Sequence, residues 1–213
     1  MKVTDKIQIT NEDNMKLMSR YEDNYFDLAI VDPPYGYGNK KTNILNFRQK
    51  EQHREWNIAP NENYFQELFR VSKNQIIWGG NYFPYIWNFG GRGFIYWHKG
   101  NPVPNFADGE LAWTSFDKNA KQFNFRYYGN LEGNTSTGTK FHPTQKPRQL
   151  YNWILDHYAN QGDKILDTHL GSGSIAMACH ERGFNLTACE IDKEYYEASI
   201  KRIKGHIAQQ RLF

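Results

Sequence analysis

The stretch from residue 164 to residue 190 constrains the fold of this chain more than any other. A strand-like run, Lys164–Asp167, is followed by Thr-His-Leu-Gly-Ser-Gly-Ser and then by a helical pattern. A second strand-like run, Asn185–Glu190, ends in an acid. Gly171 and Gly173 let the turn tighten and let a ligand approach the backbone closely. This order predicts a parallel α/β sheet in which Glu190 binds a nucleoside ribose at the carboxyl ends of the strands.

A second constraint is the segment Asp32-Pro33-Pro34-Tyr35, which follows the apolar run Phe26–Val31. The two prolines forbid a continuing strand or an immediate helix, because neither ring nitrogen can donate a hydrogen bond. A residue before proline is pushed into extended geometry, so Asp32 should be held stiffly at the end of a strand. A carboxylate, fixed carbonyls and an aromatic ring at that edge suit a flat base with an exocyclic amine. The alternative is an Asx-Pro turn with a core tyrosine.

The third informative stretch is His-Pro-Thr-Gln-Lys-Pro at residues 142–147. Thr144 is predicted to cap a helix that begins near Pro147. Unpaired N–H groups at that helix start, with Lys146 beside them, would attract a carboxylate. We expect no metal site, because His142 has no cysteine or histidine at ligand spacing. A simple helix cap is the alternative.

These three motifs carry a family resemblance. The segments at 32–35 and 167–174 together resemble the amino-methyltransferases that modify adenine N6 or cytosine N4 in DNA. The motif at 142–147 resembles the matching segment of the permuted members, in which the catalytic motif also precedes the cofactor motif. The turn lacks the third glycine of a dinucleotide site, which fits S-adenosylmethionine because this cofactor has no pyrophosphate.

The resemblance implies an α/β architecture, namely a Rossmann-like class I methyltransferase fold that is circularly permuted. Its sheet would be mostly parallel and seven-stranded, with helices on both faces. The resemblance covers nearly the whole chain, so we expect a single domain over residues 1–213. In that domain the catalytic half would extend to about residue 140 and the cofactor half would begin at about residue 141, with no separate target-recognition domain.

The resemblance also implies a reaction, which is direct in-line transfer of a methyl group from S-adenosylmethionine to the N6 amine of a flipped adenine. The implied catalytic residues are Asp32, Pro33, Pro34 and Tyr35. The implied cofactor-binding residues are Asp13, Asp32, His142, Thr144, Lys146, Asp167, His169, Gly171, Ser172, Gly173 and Glu190. Asp13 has an alternative interpretation as a helix cap. His169 stands where such enzymes usually have phenylalanine.

Composition permits a nucleic-acid partner without demanding one. The net charge is +3, and the aromatic content of 16% supplies rings that either fill a core or stack on extruded bases. A basic, aperiodic segment after Tyr35 is predicted to contact DNA phosphates, with a solvated flexible loop as the alternative. Its candidate DNA-binding residues are Lys40, Lys41, Arg48, Lys50 and Arg54.

The expected partner is double-stranded DNA, and the expected compartment is the cytoplasm. No apolar stretch reaches membrane-spanning length, the N-terminus lacks a signal-peptide core, and two cysteines fit a reducing environment. A homodimer and a paired restriction endonuclease are left open. Three alternatives to an adenine enzyme also stay open: a cytosine-N4 DNA methyltransferase, a non-catalytic methyltransferase-like DNA-binding subunit, and an RNA or protein amine methyltransferase.

Overall fold

The computed structural model describes residues 1–36, 58–100, 107–127, 142 and 145–210. Within this part of the chain, eight strands form one sheet. The strands are β1 (Ile7–Asn11), β2 (Phe26–Val31), β3 (Ser72–Trp78), β4 (Phe94–His98), β5 (Gly109–Thr114), β6 (Lys121–Asn124), β7 (Lys164–Asp167) and β8 (Asn185–Glu190). The α-helices of the same ranges are α1 (Asn14–Met18), α2 (Glu62–Val71), α3 (Arg148–Tyr158), α4 (Ser174–Arg182) and α5 (Lys193–Gln210). Two 3-10 helices, Gly80–Tyr82 and Pro84–Phe89, follow β3.

The strands lie in the order β1-β8-β7-β2-β3-β5-β4-β6. The first five are mutually parallel, β5 runs antiparallel to both β3 and β4, and β6 runs parallel to β4. The carboxyl ends of β1, β8, β7, β2, β3 and β4 therefore share one edge of the sheet with the amino end of β5. We call this the carboxyl edge, and ligands of open α/β sheets bind at such an edge.

The predicted α/β class with a mostly parallel sheet is confirmed, but the predicted number of seven strands is wrong. The additional strand is β6, which pairs with β4 at the border of the sheet. Three of its four residues are exposed, so it carries no apolar alternation that a sequence pattern could reveal. The permuted order of the motifs relative to other methyltransferases stays a prediction.

Helices cover both faces of the sheet, as predicted. On one face α3, α4 and α5 bury an apolar cluster that includes Ile154, Ala178 and Ile203. On the other face α1 and α2 bury Leu17 and Leu68 among a second cluster. None of the described helices is long and apolar enough to cross a membrane.

The sequence predicts the starts of two helices. The sequence pattern predicts a short helix from Asn11 to Tyr21, but α1 begins at Asn14 because the Asp13 carboxylate accepts hydrogen bonds from the N–H groups of Met15 and Lys16. Helix α3 begins at Arg148, and its cap residue is Pro147, which makes no side-chain hydrogen bond to the helix. The predicted helix cap, Thr144, lies outside the described residues.

Candidate active site

The Asp32 carboxylate follows β2 at the carboxyl edge, next to the glycine turn that follows β7. Strands β2 and β7 are parallel neighbours, with Leu28 opposite Ile165 and Ala29 opposite Leu166. Parallel neighbours in this register bring their carboxyl ends together. Two motifs that are far apart in sequence thus meet in space, as the sequence predicted.

Both oxygens of Asp32 are held by hydrogen bonds. Its Oδ1 accepts from the Tyr35 hydroxyl at 2.8 Å, and its Oδ2 accepts from Lys146 Nζ at 2.5 Å. Glu110 Oε2 lies 3.2 Å from the same Nζ, and Glu110 Oε1 accepts a hydrogen bond from Lys99 Nζ. Asp32, Lys146, Glu110 and Lys99 thus form a chain of alternating charges, which we call the charge cluster.

Lys146 has a different environment from the one that the sequence suggested. It was expected to attract a cofactor carboxylate, but its ammonium lies between two protein carboxylates, 5.1 Å from the centre of the Trp78 ring. Its side chain is only 2% exposed. Burying an ammonium is costly unless it is paired, so the two acids are what hold Lys146 in place.

The charge cluster shifts the proton affinities of its members in different directions. Burial raises the pKa of Asp32, although the charge of Lys146 partly opposes this shift. Burial also acts to raise the pKa of Glu110, but Lys146 and Lys99 outweigh it and bring this pKa to about 2. For Lys146, burial acts to lower the pKa, and the two carboxylates more than reverse the effect. Glu110 and Lys146 are therefore charged at neutral pH.

Tyr35 is fixed by its ring as well as by its hydroxyl. Its ring stacks on Tyr82, with centroids 4.8 Å apart and planes at 21°. The backbone of Gly79 passes so close that a Cβ built there would lie 2.1 Å from Tyr35 Cε1. Gly79 also has a left-handed backbone (φ 68°, ψ 24°), which glycine adopts without strain. A glycine directly after β3 thus makes room for the Tyr35 ring.

Gly79→Ala should therefore destabilise the protein more than an alanine at an equally left-handed glycine. Gly183 is the matched control, because its backbone (φ 73°, ψ 23°) is nearly identical and an added Cβ would lie 3.7 Å from its nearest neighbour atom. We expect Gly183→Ala to cost about 1–2 kcal/mol of unfolding free energy through backbone strain. Gly79→Ala should cost about 1–3 kcal/mol more, because its Cβ collides with the Tyr35 ring. Urea unfolding of both variants measures the difference, and equal losses would contradict the proposed contact.

The glycine turn between β7 and α4 is tied to the end of β8. The Gly171 N–H donates to Glu190 Oε2 at 2.8 Å, and the Asp192 N–H donates to Glu190 Oε1 at 3.0 Å. Gly171 and Gly173 both have positive φ, at 52° and 75°. Ser172 between them is buried, and its carbonyl accepts from Arg202 at 2.8 Å. The turn and the Glu190 acid thus form one rigid unit.

Asp167 is a buried carboxylate at the end of β7. Its Oδ1 accepts a hydrogen bond from the His169 N–H at 2.9 Å. Burial raises its pKa to about 8, and this hydrogen bond opposes the shift only in part. Within the described residues no lysine or arginine forms an ion pair with it. The site therefore contains a carboxyl group that is mostly protonated at neutral pH and that, among the described residues, has no lysine or arginine ion pair when it ionises.

His169 is a partly buried, neutral side chain that contacts other parts of the protein. Burial lowers its pKa to about 3. Asn14 Nδ2 lies 3.0 Å from Nε2, and Thr168 Oγ1 lies 2.9 Å from Nδ1. The ring also meets the edge of Tyr64 at 5.3 Å. It connects the glycine turn to α1, and a contact between its ring and a cofactor stays a prediction.

His142 connects the third motif to the glycine turn. A Cβ built on Gly171 would lie 3.2 Å from His142 Cε1, so the imidazole packs against that glycine. The ring also contacts Tyr195 on α5, with centroids 4.4 Å apart. The described residues contain no group of acidic, histidine and cysteine side chains that could hold a metal ion, so His142 belongs to no such group within them.

Other predicted site residues stand as follows. Asp13 caps α1, which is the alternative interpretation of this residue, and a cofactor contact from it stays a prediction. The predicted DNA-binding residues and one cofactor residue lie outside the described residues: Lys40, Lys41, Arg48, Lys50, Arg54 and Thr144. Sequence reasoning missed Glu110 and Lys99. The sequence did contain a signal for this ion pair, because the two residues have opposite charges and stand at the two ends of the loop that joins β4 to β5.

Comparisons with known proteins agree with this geometry. A family model described as DNA methylase, N6_N4_Mtase, matches residues 97–201. The Type II methyltransferase M.HpaI of Haemophilus parainfluenzae is 27% identical over 232 residues, covering 89% of this chain and 71% of that protein. The Type II methyltransferase M2.DpnII of Streptococcus pneumoniae is 23% identical over 242 residues, covering 94% of this chain and 90% of its own length.

Solved structures share the fold. The M1.HpyAVI–SAM complex superposes with a TM-score of 0.65 at 21% identity, covering 92% of this chain and 99% of that one. PvuII DNA methyltransferase (cytosine-N4-specific) gives 0.62 at 14% identity, covering 97% and 94%. TTHA0409 from Thermus thermophilus, complexed with S-adenosyl-L-methionine, gives 0.58 at 14% identity, covering 94% of each chain. This likeness establishes the Rossmann-like class I methyltransferase fold, and over residues 97–201 the chain is similar to the N6/N4 family of DNA methyltransferases.

Proposed function

We propose that this protein transfers a methyl group from S-adenosylmethionine to the N6 amine of adenine within a short sequence of double-stranded DNA. The observation that carries the proposal is the Asp32 carboxylate, held by Lys146 and Tyr35 at the same sheet edge as the Gly171 turn. This reaction needs two parts: an acid that accepts a hydrogen bond from the amine, and a turn that binds the methyl donor.

The described residues suit S-adenosylmethionine on two counts. Asp167 is a buried carboxyl group with a raised pKa and without a lysine or arginine ion pair in the described part of the chain, so a cationic ligand would favour its ionised form and pair with it. Glu190 is held by two backbone N–H groups and presents a fixed acid to the hydroxyls of a ribose. When bound, the cofactor would supply a methyl group activated by a sulfonium centre. The complexes of M1.HpyAVI and TTHA0409 with this molecule, on the same fold, support the choice.

Asp32 would activate the amine by accepting one of its N–H groups, while the Pro33 carbonyl accepts the other. An aromatic amine is a poor nucleophile because its lone pair is delocalised into the ring. Two acceptors fixed on a rigid segment favour a more tetrahedral nitrogen, and this geometry directs the lone pair toward the methyl donor. Pro34 keeps the segment extended, since residues before proline avoid helical geometry.

Asp32 would also take the proton that the amine gives up after methylation. Burial raises the pKa of Asp32, so this carboxylate is a better proton acceptor than an exposed aspartate. Lys146 opposes this effect and favours the ionised form of Asp32 through the ion pair at 2.5 Å. Both effects are useful, because in this reaction Asp32 must first accept a hydrogen bond and then take a proton.

The flipped base would stack on the aromatic pair at the mouth of the site. Tyr35 and Tyr82 are already stacked, and Tyr82 is 44% exposed. Extruding a base costs a few kcal/mol, which stacking and phosphate contacts offset. In this proposal the phosphate contacts come from the basic segment after Tyr35, whose residues Lys40, Lys41, Arg48, Lys50 and Arg54 were named above.

Adenine is favoured over cytosine by family resemblance alone. Permuted cytosine-N4 enzymes more often begin the catalytic tetrapeptide with serine, whereas this chain has Asp32. The fold does not discriminate, because the cytosine-N4-specific PvuII enzyme shares it with a TM-score of 0.62. Cytosine N4 is therefore the second candidate.

Methyl transfer to unmodified DNA tests the proposed function. The full chain is incubated with tritium-labelled S-adenosylmethionine and genomic DNA that lacks both N6-methyladenine and N4-methylcytosine, so that every short sequence is offered. The DNA is then digested to nucleosides. We expect label in N6-methyladenine. Label in N4-methylcytosine would overturn the choice of base, and no label together with no cofactor uptake by calorimetry would favour a non-catalytic subunit.

A further inference from the structure

We propose that Glu110 is a positioning residue for methyl transfer: by sharing the ammonium of Lys146 with Asp32, it fixes that ammonium and limits its hold on the catalytic carboxylate. The inference rests on the proposed role of Asp32. It starts from the charge cluster, in which Glu110 lies in none of the three sequence motifs and reaches Asp32 through their shared partner Lys146.

The geometry gives Lys146 two competing anionic partners, of which Asp32 also accepts a hydrogen bond from it. Its Nζ lies 2.5 Å from Asp32 Oδ2 and 3.2 Å from Glu110 Oε2. With its side chain 2% exposed, Lys146 has almost no contact with solvent. An ammonium that moves toward one carboxylate therefore moves away from the other, and water is not there to compensate for the weaker contact.

Glu110 is itself held from its far side. Lys99 pairs with Glu110 Oε1, and the Lys99 ammonium also lies 4.7 Å from the centre of the Trp97 ring. Lys99 follows β4, and Glu110 is the second residue of the antiparallel neighbour β5. The two strands thus fix the Lys99–Glu110 ion pair relative to the sheet, and this ion pair fixes the position of the Lys146 ammonium.

Asp32 is surrounded by other groups that influence its charge. Tyr35 donates a hydrogen bond to it from the same segment, and Lys146 approaches from the segment before α3. The Glu110 charge reaches it from β5, the Tyr151 phenol from α3 and the Asp167 carboxylate from β7. Among these, Glu110 is the anion that also binds the lysine partner of Asp32, so its removal acts on Asp32 twice.

The variants Glu110→Gln and Lys99→Met should therefore shift the titration of Asp32 in opposite directions. Glutamine keeps the shape of the side chain but leaves Lys146 to Asp32 alone, so Asp32 should titrate at lower pH. Lys99→Met removes the other cation that pairs with Glu110. The Glu110 carboxylate should then hold the Lys146 ammonium more strongly, so Asp32 should titrate at higher pH. We expect the pKa of Asp32 to change by about one pH unit in each variant, which is the lower end of the range for neighbouring charges.

The test uses carbon-13 NMR of the full chain labelled at aspartate carboxyl groups. The Asp32 signal is assigned by its loss in Asp32→Asn, and circular dichroism checks that each variant is folded. Opposite shifts support the proposal. Shifts of the same sign, or an unchanged titration in a folded Glu110→Gln variant, would overturn it. If one variant does not fold, the sign of the shift in the other still decides.

A kinetic measurement separates positioning from simple structural support. With saturating DNA and varied cofactor, Glu110→Gln should lower kcat about tenfold or more and leave KM for the cofactor unchanged, because misplacing a catalytic group slows chemistry more than binding. A rise in KM with unchanged kcat would overturn the positioning role. The NMR titration needs no turnover, so it also distinguishes failure of this inference from failure of the proposed function.

Discussion

Asp32→Asn is expected to lower the methyl-transfer rate by about three orders of magnitude or more while leaving the fold and cofactor binding in place. Asparagine has the shape of aspartate, but its side chain carries no negative charge and one of its two acceptors becomes a donor. The amine would lose both its hydrogen-bond acceptor and the group that takes its proton. Lys146 would keep Glu110 as a partner, so the buried ammonium would not be left unpaired.

The measurement is single-turnover transfer of tritiated methyl groups to unmodified genomic DNA, with cofactor affinity measured by calorimetry. The matched control is Asp117→Asn, an 84% exposed carboxylate paired with Arg92 away from the carboxyl edge. We expect this control to transfer methyl groups at the wild-type rate. Transfer by Asp32→Asn within tenfold of wild type would contradict the catalytic assignment. Loss of cofactor binding together with activity would instead assign Asp32 to the binding step.

The second large effect is expected in the pH dependence of stability at Asp167. Burial raises the pKa of this carboxyl to about 8, well above its ordinary value of 3.8. A group whose pKa is raised on folding stabilises the protein fully below its unfolded pKa, and that stabilisation is lost as the pH rises toward the folded pKa. The cofactor-free wild-type protein should therefore lose stability between about pH 4 and pH 8.

Asp167→Asn should remove this loss, because asparagine does not ionise and its oxygen can still accept from the His169 N–H. One pH unit corresponds to about 1.4 kcal/mol, so between pH 5 and pH 8 the variant should gain up to about 4 kcal/mol relative to wild type. Urea unfolding at each pH measures this gain. The control is Asp163→Asn, which changes a carboxylate that caps the Asn160 N–H just before the same strand. Parallel stability curves for wild type and Asp167→Asn would contradict the assignment.

The same variant should bind S-adenosylmethionine more weakly at pH 8 than wild type does. In the proposal, the cationic part of the cofactor pairs with the ionised Asp167 carboxylate. The unfolding free energy that the free protein loses when Asp167 ionises is therefore regained when the cofactor binds. A stable cofactor-free protein and a weak complex would then be two results of one substitution. This trade-off is typical of charged groups buried at functional sites.

Much of the site could be predicted from local sequence because local chemistry fixes it. Prolines after β2 stop the strand at Asp32, and alternating glycines after β7 permit the positive φ angles found at Gly171 and Gly173. A parallel sheet then places both segments at one edge. These features depend on residues next to each other in the chain, so their signal is present in the sequence.

Local sequence patterns were enough to predict the strands β2, β7 and β8, the glycine turn, and the meeting of Asp32 with that turn at one edge of the sheet. The charges that surround Asp32 could not be predicted in this way, because they depend on tertiary contacts. Because β5 runs antiparallel, its first residues rather than its last lie at the carboxyl edge, and Glu110 thereby reaches Lys146. The edge strand β6 likewise depends on a free border of β4 rather than on its own apolar pattern. Strand direction and charge pairing arise from long-range contacts, which no local pattern of residues contains.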